Sequence, residues 1–197
     1  MNLKDNLQHT LELEPTDEES NSFVDAEVIL MPTPTTHADL VKIAEKWLYK
    51  TMGCGVVFTE LVTMCPEIPD AFGLRSDYTI LVECKTSRSD FFADRKKIFR
   101  QIPENGIGDY RFYLCSEGLI SPNELPSKWG LLYWDGKRVK KVKAPKGNIS
   151  RNWLEFRFEK AHENEHRILY SALRRIHLRG HLGLIYEGIV DASGQSK

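Results

Sequence analysis

Nothing in this chain is long and apolar enough to span a bilayer. No run approaches the roughly 20 residues that a membrane helix needs, and the opening Met1-Asn2-Leu3-Lys4-Asp5 lacks the apolar core of a secretory signal. The expectation is a cytoplasmic protein with no membrane partner. Cysteine is sparse: Cys54, Cys65, Cys84 and Cys115 include no C-x-x-C pair. Each lies in or near apolar sequence, which predicts buried free thiols rather than disulfides or a zinc site. The histidines His162, His166, His177 and His181 recur near the C-terminus without an H-E-x-x-H pattern, so they do not read as a zinc centre either. There are no internal repeats.

Net charge is also nearly absent, at −1 over 197 residues, which looks wrong for a protein that handles polyanions. Its distribution changes that reading. Residues 1–36 hold eight acids (Asp5, Glu12, Glu14, Asp17, Glu18, Glu19, Asp25 and Glu27) against Lys4 alone, a net −7. With −1 overall and −7 in the leader, the remaining 161 residues carry +6. A basic body suits phosphate binding, because local field rather than total charge steers a ligand. Residues 1–35 therefore read as an acidic, flexible leader, 36–180 as one domain and 181–197 as a tail. At 41% hydrophobic overall, the chain has enough apolar material for a core.

Thr35 or Thr36 offers an N-cap for a helix over 37–52, with Leu40, Ile43, Ala44, Trp47 and Leu48 at helical spacing. The β-branched stretch 56–64 predicts a first core strand. A short strand is expected within 66–77 and another over 78–85. The spacing then predicts a helix over 89–100, a strand over 111–115, and a hairpin of 129–134 with 138–143 turning at Asp135-Gly136. A last helix is expected over 159–178. Val28-Ile29-Leu30-Met31 adds a short apolar run ended by Pro32 and Pro34. This order predicts an α/β fold, a mixed sheet flanked by helices.

The chemistry concentrates in Pro69-Asp70 and, after twelve intervening residues, Glu83-Cys84-Lys85. On a strand, Glu83 and Lys85 share a face while Cys84 points away. Two carboxylates and an ammonium at a strand end are suited to holding a hard divalent cation, Mg²⁺ or Mn²⁺, beside a phosphodiester. Asp70 and Glu83 are the expected metal ligands, with the backbone carbonyl of Cys84 as a third. Lys85 is expected to position or help deprotonate the attacking water and to offset charge on the phosphate. Asp77, at an even offset from Glu83, competes with Asp70. Glu45 and Glu60 are further acids that could face the metal. Asp94-Arg95-Lys96 repeats the triplet inside the expected 89–100 helix, where residues two apart do not share a face, and so reads as a decoy.

The run Pro69-Asp70-Ala71-Phe72-Gly73, then Leu81-Val82-Glu83-Cys84-Lys85-Thr86-Ser87-Arg88-Ser89-Asp90-Phe91 and Asp94-Arg95-Lys96-Lys97, resembles the PD-(D/E)XK nuclease superfamily. Within it the chain looks closest to the MmcB-like DNA-repair and phage-encoded group. Asp109-Tyr110-Arg111-Phe112-Tyr113 and the stretch from Gly118 to Leu132 match that group's downstream part, so the likeness covers roughly 36–180. It implies a restriction-endonuclease-like fold, Asp70, Glu83 and Lys85 at metal and catalytic positions, and DNA as partner. It also implies phosphate contacts from Arg88, Arg95, Lys96, Lys97 and Arg100, and from a hairpin strip that includes Lys140 and Lys141. Many enzymes of the superfamily work as dimers, which leaves a homodimer open. The alternative is a catalytically silent nucleic-acid-binding or partner-binding protein on the same fold.

Overall fold

Thr36 supplies both halves of a capping box: its hydroxyl accepts from the Asp39 N–H, and the Asp39 carboxylate accepts from the Thr36 N–H. Helix α1 (His37–Lys50) starts there. In the computed structural model, which describes residues 35–147 and 153–187, six strands follow in a single mixed sheet. They are β1 (Val56–Thr59), β2 (Ala71–Leu74), β3 (Thr79–Lys85), β4 (Tyr110–Ser116), β5 (Gly130–Trp134) and β6 (Val139–Lys143). Spatial order equals chain order; β3–β4 and β4–β5 are parallel and the other pairs antiparallel. This is the α/β architecture expected from the sequence. Among the described residues no helix is long and apolar enough to cross a membrane.

Alternation along the central strands divides the core in two. Ile80, Val82 and Cys84 of β3, with Phe112 and Leu114 of β4, pack against Leu40, Ala44, Trp47 and Leu48 of α1. The opposite face carries Leu81, Tyr113, Cys115 and Leu131. It is covered from the β3–β4 crossover by α2 (Arg88–Asp94) and α3 (Ile98–Gln101), and from the C-terminal side by α4 (His162–Leu178). All four cysteines are free and buried, spread over both layers.

Three expectations need correction. The first strand stops at Thr59 rather than 64, because Glu60 takes a left-handed backbone, φ +47°, and turns the chain out of the sheet. The helix expected over 89–100 is broken. Lys97 is extended (ψ 145°) between α2 and α3, which lets Arg100 fold back beneath the end of α2. The last helix begins at His162, and of its expected apolar stripe only Ile168 is fully buried. Leu169, Leu173 and Ile176 are exposed, because α4 meets the body through its first two turns, where Asn164 and Glu165 are also buried. The 28–31 run and most of the leader lie outside the described residues.

Gly130 opens β5 directly opposite Phe112. A Cβ there would come within 2.2 Å of the Phe112 ring, and that ring is held in the core against Trp47 and Trp153. Gly130→Ala is therefore expected to destabilise the fold by about 1–3 kcal/mol, the usual effect of overpacking, as read from urea denaturation.

Candidate metal and acidic site

Antiparallel pairing of β2 with β3 sets Ala71 against Val82, and the same register carried one step further puts Asp70 opposite Glu83. Asp70 is tied down there, its Oδ2 accepting the Cys84 N–H at 2.7 Å. The residue between Glu83 and Lys85 thus anchors the upstream aspartate through its backbone. The Cys84 side chain faces α1, and burial pushes its thiol far up, so it is no nucleophile. The other Asp70 oxygen, Oδ1, lies 3.4 Å from His37 Nε2, which is also 3.4 Å from Glu60 Oε1. One ligand atom from each of His37, Glu60 and Asp70 falls within 4.8 Å of the other two. The capping box of Thr36 places His37 at the first turn of α1, while the left-handed Glu60 has its N–H turned to the carbonyls of Pro69 and Asp70.

Glu83 and Lys85 project from β3 into the other layer, and both are almost wholly buried. Lys85 Nζ lies 3.2 Å from Glu83 Oε2 and 3.5 Å from Asp94 Oδ1. Arg100 closes the group: its Nε donates to Asp94 Oδ2 at 2.8 Å and its Nη2 stands 3.2 Å from Glu83 Oε1. Its Nη1 meets Glu67, and the plane lies 4.8 Å from the Trp129 ring centre. Tyr113 donates its hydroxyl to Asp94 Oδ2 at 2.7 Å, and Glu67 accepts the Ile107 N–H at 3.0 Å. Glu83 Oε1 is the unsettled atom, buried beside Arg100 yet without a hydrogen bond.

Burial is the main cause of the shifts here. It pushes Glu83 up to about 7 against the pull of Arg100, and it raises Asp70. Burial also acts on Asp94, but Arg100 and Lys85 overcome it and hold that carboxyl well below the usual range. For Lys85, burial works against the charge; Glu83, Asp94 and Asp70 outweigh it and keep the ammonium above its ordinary value. A lysine held that way keeps its proton at neutral pH and stands among these carboxylates as a fixed positive charge.

The sequence-derived site is thus brought together in part. Asp70, Glu83 and Lys85 converge, but both Glu83 oxygens face cations, and the free donors beside Asp70 are those of His37 and Glu60. Asp77 is excluded, exposed in the turn before β3 while Glu83 and Lys85 end that strand, which at seven residues is about 20 Å long. Glu45 lies eight residues along α1 from His37, a rise of about 12 Å, and stays outside the cluster.

Of the expected phosphate contacts, Arg100 is corrected outright, since its guanidinium is buried against three carboxylates. Arg88 pairs with Glu124, Lys97 with Asp94, and Lys140 with Glu117 and Asp135. Arg95, Lys96 and Lys141 are the exposed ones with no carboxylate partner among the described residues. Sequence reasoning missed His37 and Glu67, and took Asp94 for a decoy where it is the most heavily bonded acid of the group. The signal for His37 was its place just inside a strong cap; for Glu67 there was none.

No known protein family matches the chain, and no curated protein does. Among solved structures it is similar to the SPO1766 protein of unknown function from Silicibacter pomeroyi. The two share 22% identity at a TM-score of 0.50, over 73% of this chain and 92% of that one. That likeness supports the fold alone.

Asp94→Asn leaves Lys85 and Arg100 buried with one anion fewer, so it is expected to cost about 3–5 kcal/mol at neutral pH. Because the Asp94 value is depressed in the folded state, its contribution is complete above the ordinary value of 3.8 and is lost as pH falls below it. The gap between wild type and variant in urea denaturation should therefore be full at pH 7 and narrow in acid; a gap independent of pH would contradict the assignment.

Proposed function

We propose that this protein is a metal-dependent nuclease that hydrolyses phosphodiester bonds in DNA. What carries the reading is the anchoring of Asp70 on the backbone N–H between Glu83 and Lys85, which unites the three residues of the sequence motif at one strand end. The likeness of the sequence to the PD-(D/E)XK superfamily adds a restriction-endonuclease-like scaffold, DNA repair, recombination or phage DNA metabolism as setting, and the cytoplasm as location. A homodimer stays within this proposal on the same ground.

The donor set fits a divalent cation at His37, Glu60 and Asp70: one imidazole nitrogen and two carboxylate oxygens in reach of a single ion. Glu83 fits less well as a ligand, since each of its oxygens already faces a cation. Mg²⁺ or Mn²⁺ held there would polarise the phosphate and acidify a bound water. The chain's own part is electrostatic. Lys85 keeps a fixed positive charge behind Asp70, suited to the negative charge that builds on phosphate oxygens as water adds to phosphorus and the opposite P–O bond breaks. Glu83, with a value near 7, holds that ammonium in place and is the acid of the group whose charge is most easily changed at neutral pH.

One observation favours a second reading, a catalytically silent binding protein. Glu83 and Lys85 are 1% and 3% exposed and satisfy each other. A single set of measurements separates the two readings. Wild type, Lys85→Ala and Asp70→Asn are incubated with linear, nicked, branched and single-stranded DNA, with Mg²⁺, Mn²⁺ or EDTA, and Mn²⁺ binding is followed by electron paramagnetic resonance. The expected result is metal-dependent cleavage, lowered at least about 100-fold in both variants, with Mn²⁺ binding lost in Asp70→Asn and kept in Lys85→Ala. DNA binding without cleavage of any form would overturn the nuclease and leave the binding protein.

A further inference from the structure

Along its outer side α1 carries Lys42, Lys46 and Lys50 at four-residue spacing, so the three lysines follow one another along the helix with a backbone rise of about 6 Å between them, and all three line one groove. The turn of the β5–β6 hairpin sets Lys137 and Arg138 across from them. Between the two rims lies a cavity of about 440 Å³. Its walls are apolar: Ile43 and Trp47 from the helix, Trp134 and Val139 from the hairpin. No carboxylate among the described residues lines it. Among the described residues the four lysines make no ion pair, and Arg138 has only Asp135, at 3.7 Å.

Surface charge on small domains is ordinarily mixed in sign, so a groove whose described lining holds five cations and no anion selects a polyanion. The tryptophan wall narrows the choice. An acidic peptide or a duplex would use the lysines and leave the indole idle, whereas an unpaired base stacks on it while its phosphates follow the row of charges. We propose that this groove binds a single strand of nucleic acid, phosphates along Lys42, Lys46, Lys50 and Lys137, a base against Trp134. The site does not depend on catalysis and none of its residues belongs to the acidic cluster. A strand lying along α1 runs toward His37, the first residue of the same helix.

The test is binding in EDTA, where failure of this groove and failure of the nuclease reading are distinguishable. Fluorescently labelled oligo-dT, oligo-rU and a matching duplex are titrated into the full-length protein, with anisotropy and tryptophan emission both recorded. Binding of oligo-dT or oligo-rU tighter than the duplex is expected, with tryptophan quenching that diminishes in Trp134→Phe; preference between the two identifies DNA or RNA as source. Lys46→Glu with Lys137→Glu, both exposed positions, should weaken the strand at least about tenfold and flatten the log–log salt slope by about 0.7 for each phosphate that is no longer neutralised. Arg179→Glu, an exposed charge at the end of α4, should bind as wild type does. Equal binding by the Lys46/Lys137 double variant, tighter binding of the duplex or of polyglutamate, or binding without quenching would each overturn the proposal.

Discussion

One guanidinium organises the lower layer of this molecule. Arg100 reaches Glu67 from the loop before β2, Glu83 from the central strand and Asp94 from the end of α2, and its flat side rests against Trp129. A buried arginine is tolerated only with its donors met, and a buried carboxylate only with a cation beside it. Each condition here is met by the other. The crossover between β3 and β4 must therefore bend at Lys97 to bring Arg100 inward, and the loop carrying Glu67 must lie close enough to accept the Ile107 N–H as well. Lys85, also buried, takes what remains of Glu83 and Asp94.

That arrangement separates two kinds of acid at the same strand end. Glu83 and Asp94 are locked among cations under the sheet. Asp70 is held by a backbone N–H and turned toward His37 and Glu60 at the surface. A metal ligand needs oxygens not already committed to ammonium or guanidinium groups, and only the second kind meets that need. On the nuclease reading, the division gives the surface acids the cation and the buried pair the task of keeping Lys85 charged. The Glu83 oxygen without a hydrogen bond is where the two kinds meet, since Asp70 is among the charges that raise its affinity for a proton.

The strand bearing Glu83 and Lys85 was legible in the sequence because an unbroken apolar run, Ile80-Leu81-Val82, and a polar end mark it locally, as a capping threonine marks α1 and Asp135-Gly136 the hairpin. Asp70 was legible through Pro69 and its distance from the strand, and Asp77 fell away once the turn before β3 put it at the far end. Arg100 was not legible. Its position in a charged, helix-like segment reads as a solvated face, and what buries it is Glu67, 33 residues upstream. The apparent decoy at Asp94 failed for the same reason: an argument about which residues share a helix face holds only while the helix continues, and this one ends at Asp94. Partners so distant in sequence leave no periodic trace.

α1 ties the surface features together. Its inner side is a full apolar stripe against the sheet, so its register is fixed by Leu40, Ala44, Trp47 and Leu48 and cannot slip without emptying the core. With register fixed, the cap decides that His37 meets Asp70, and the four-residue spacing decides that Lys42, Lys46 and Lys50 share an outer edge facing the hairpin. The capping threonine, the metal-ligating histidine on the nuclease reading and the basic row are thus set by one packing surface. A change to the buried stripe of α1 would displace all of them at once, whereas a change to its outer lysines leaves the fold and the His37–Asp70 contact where they are.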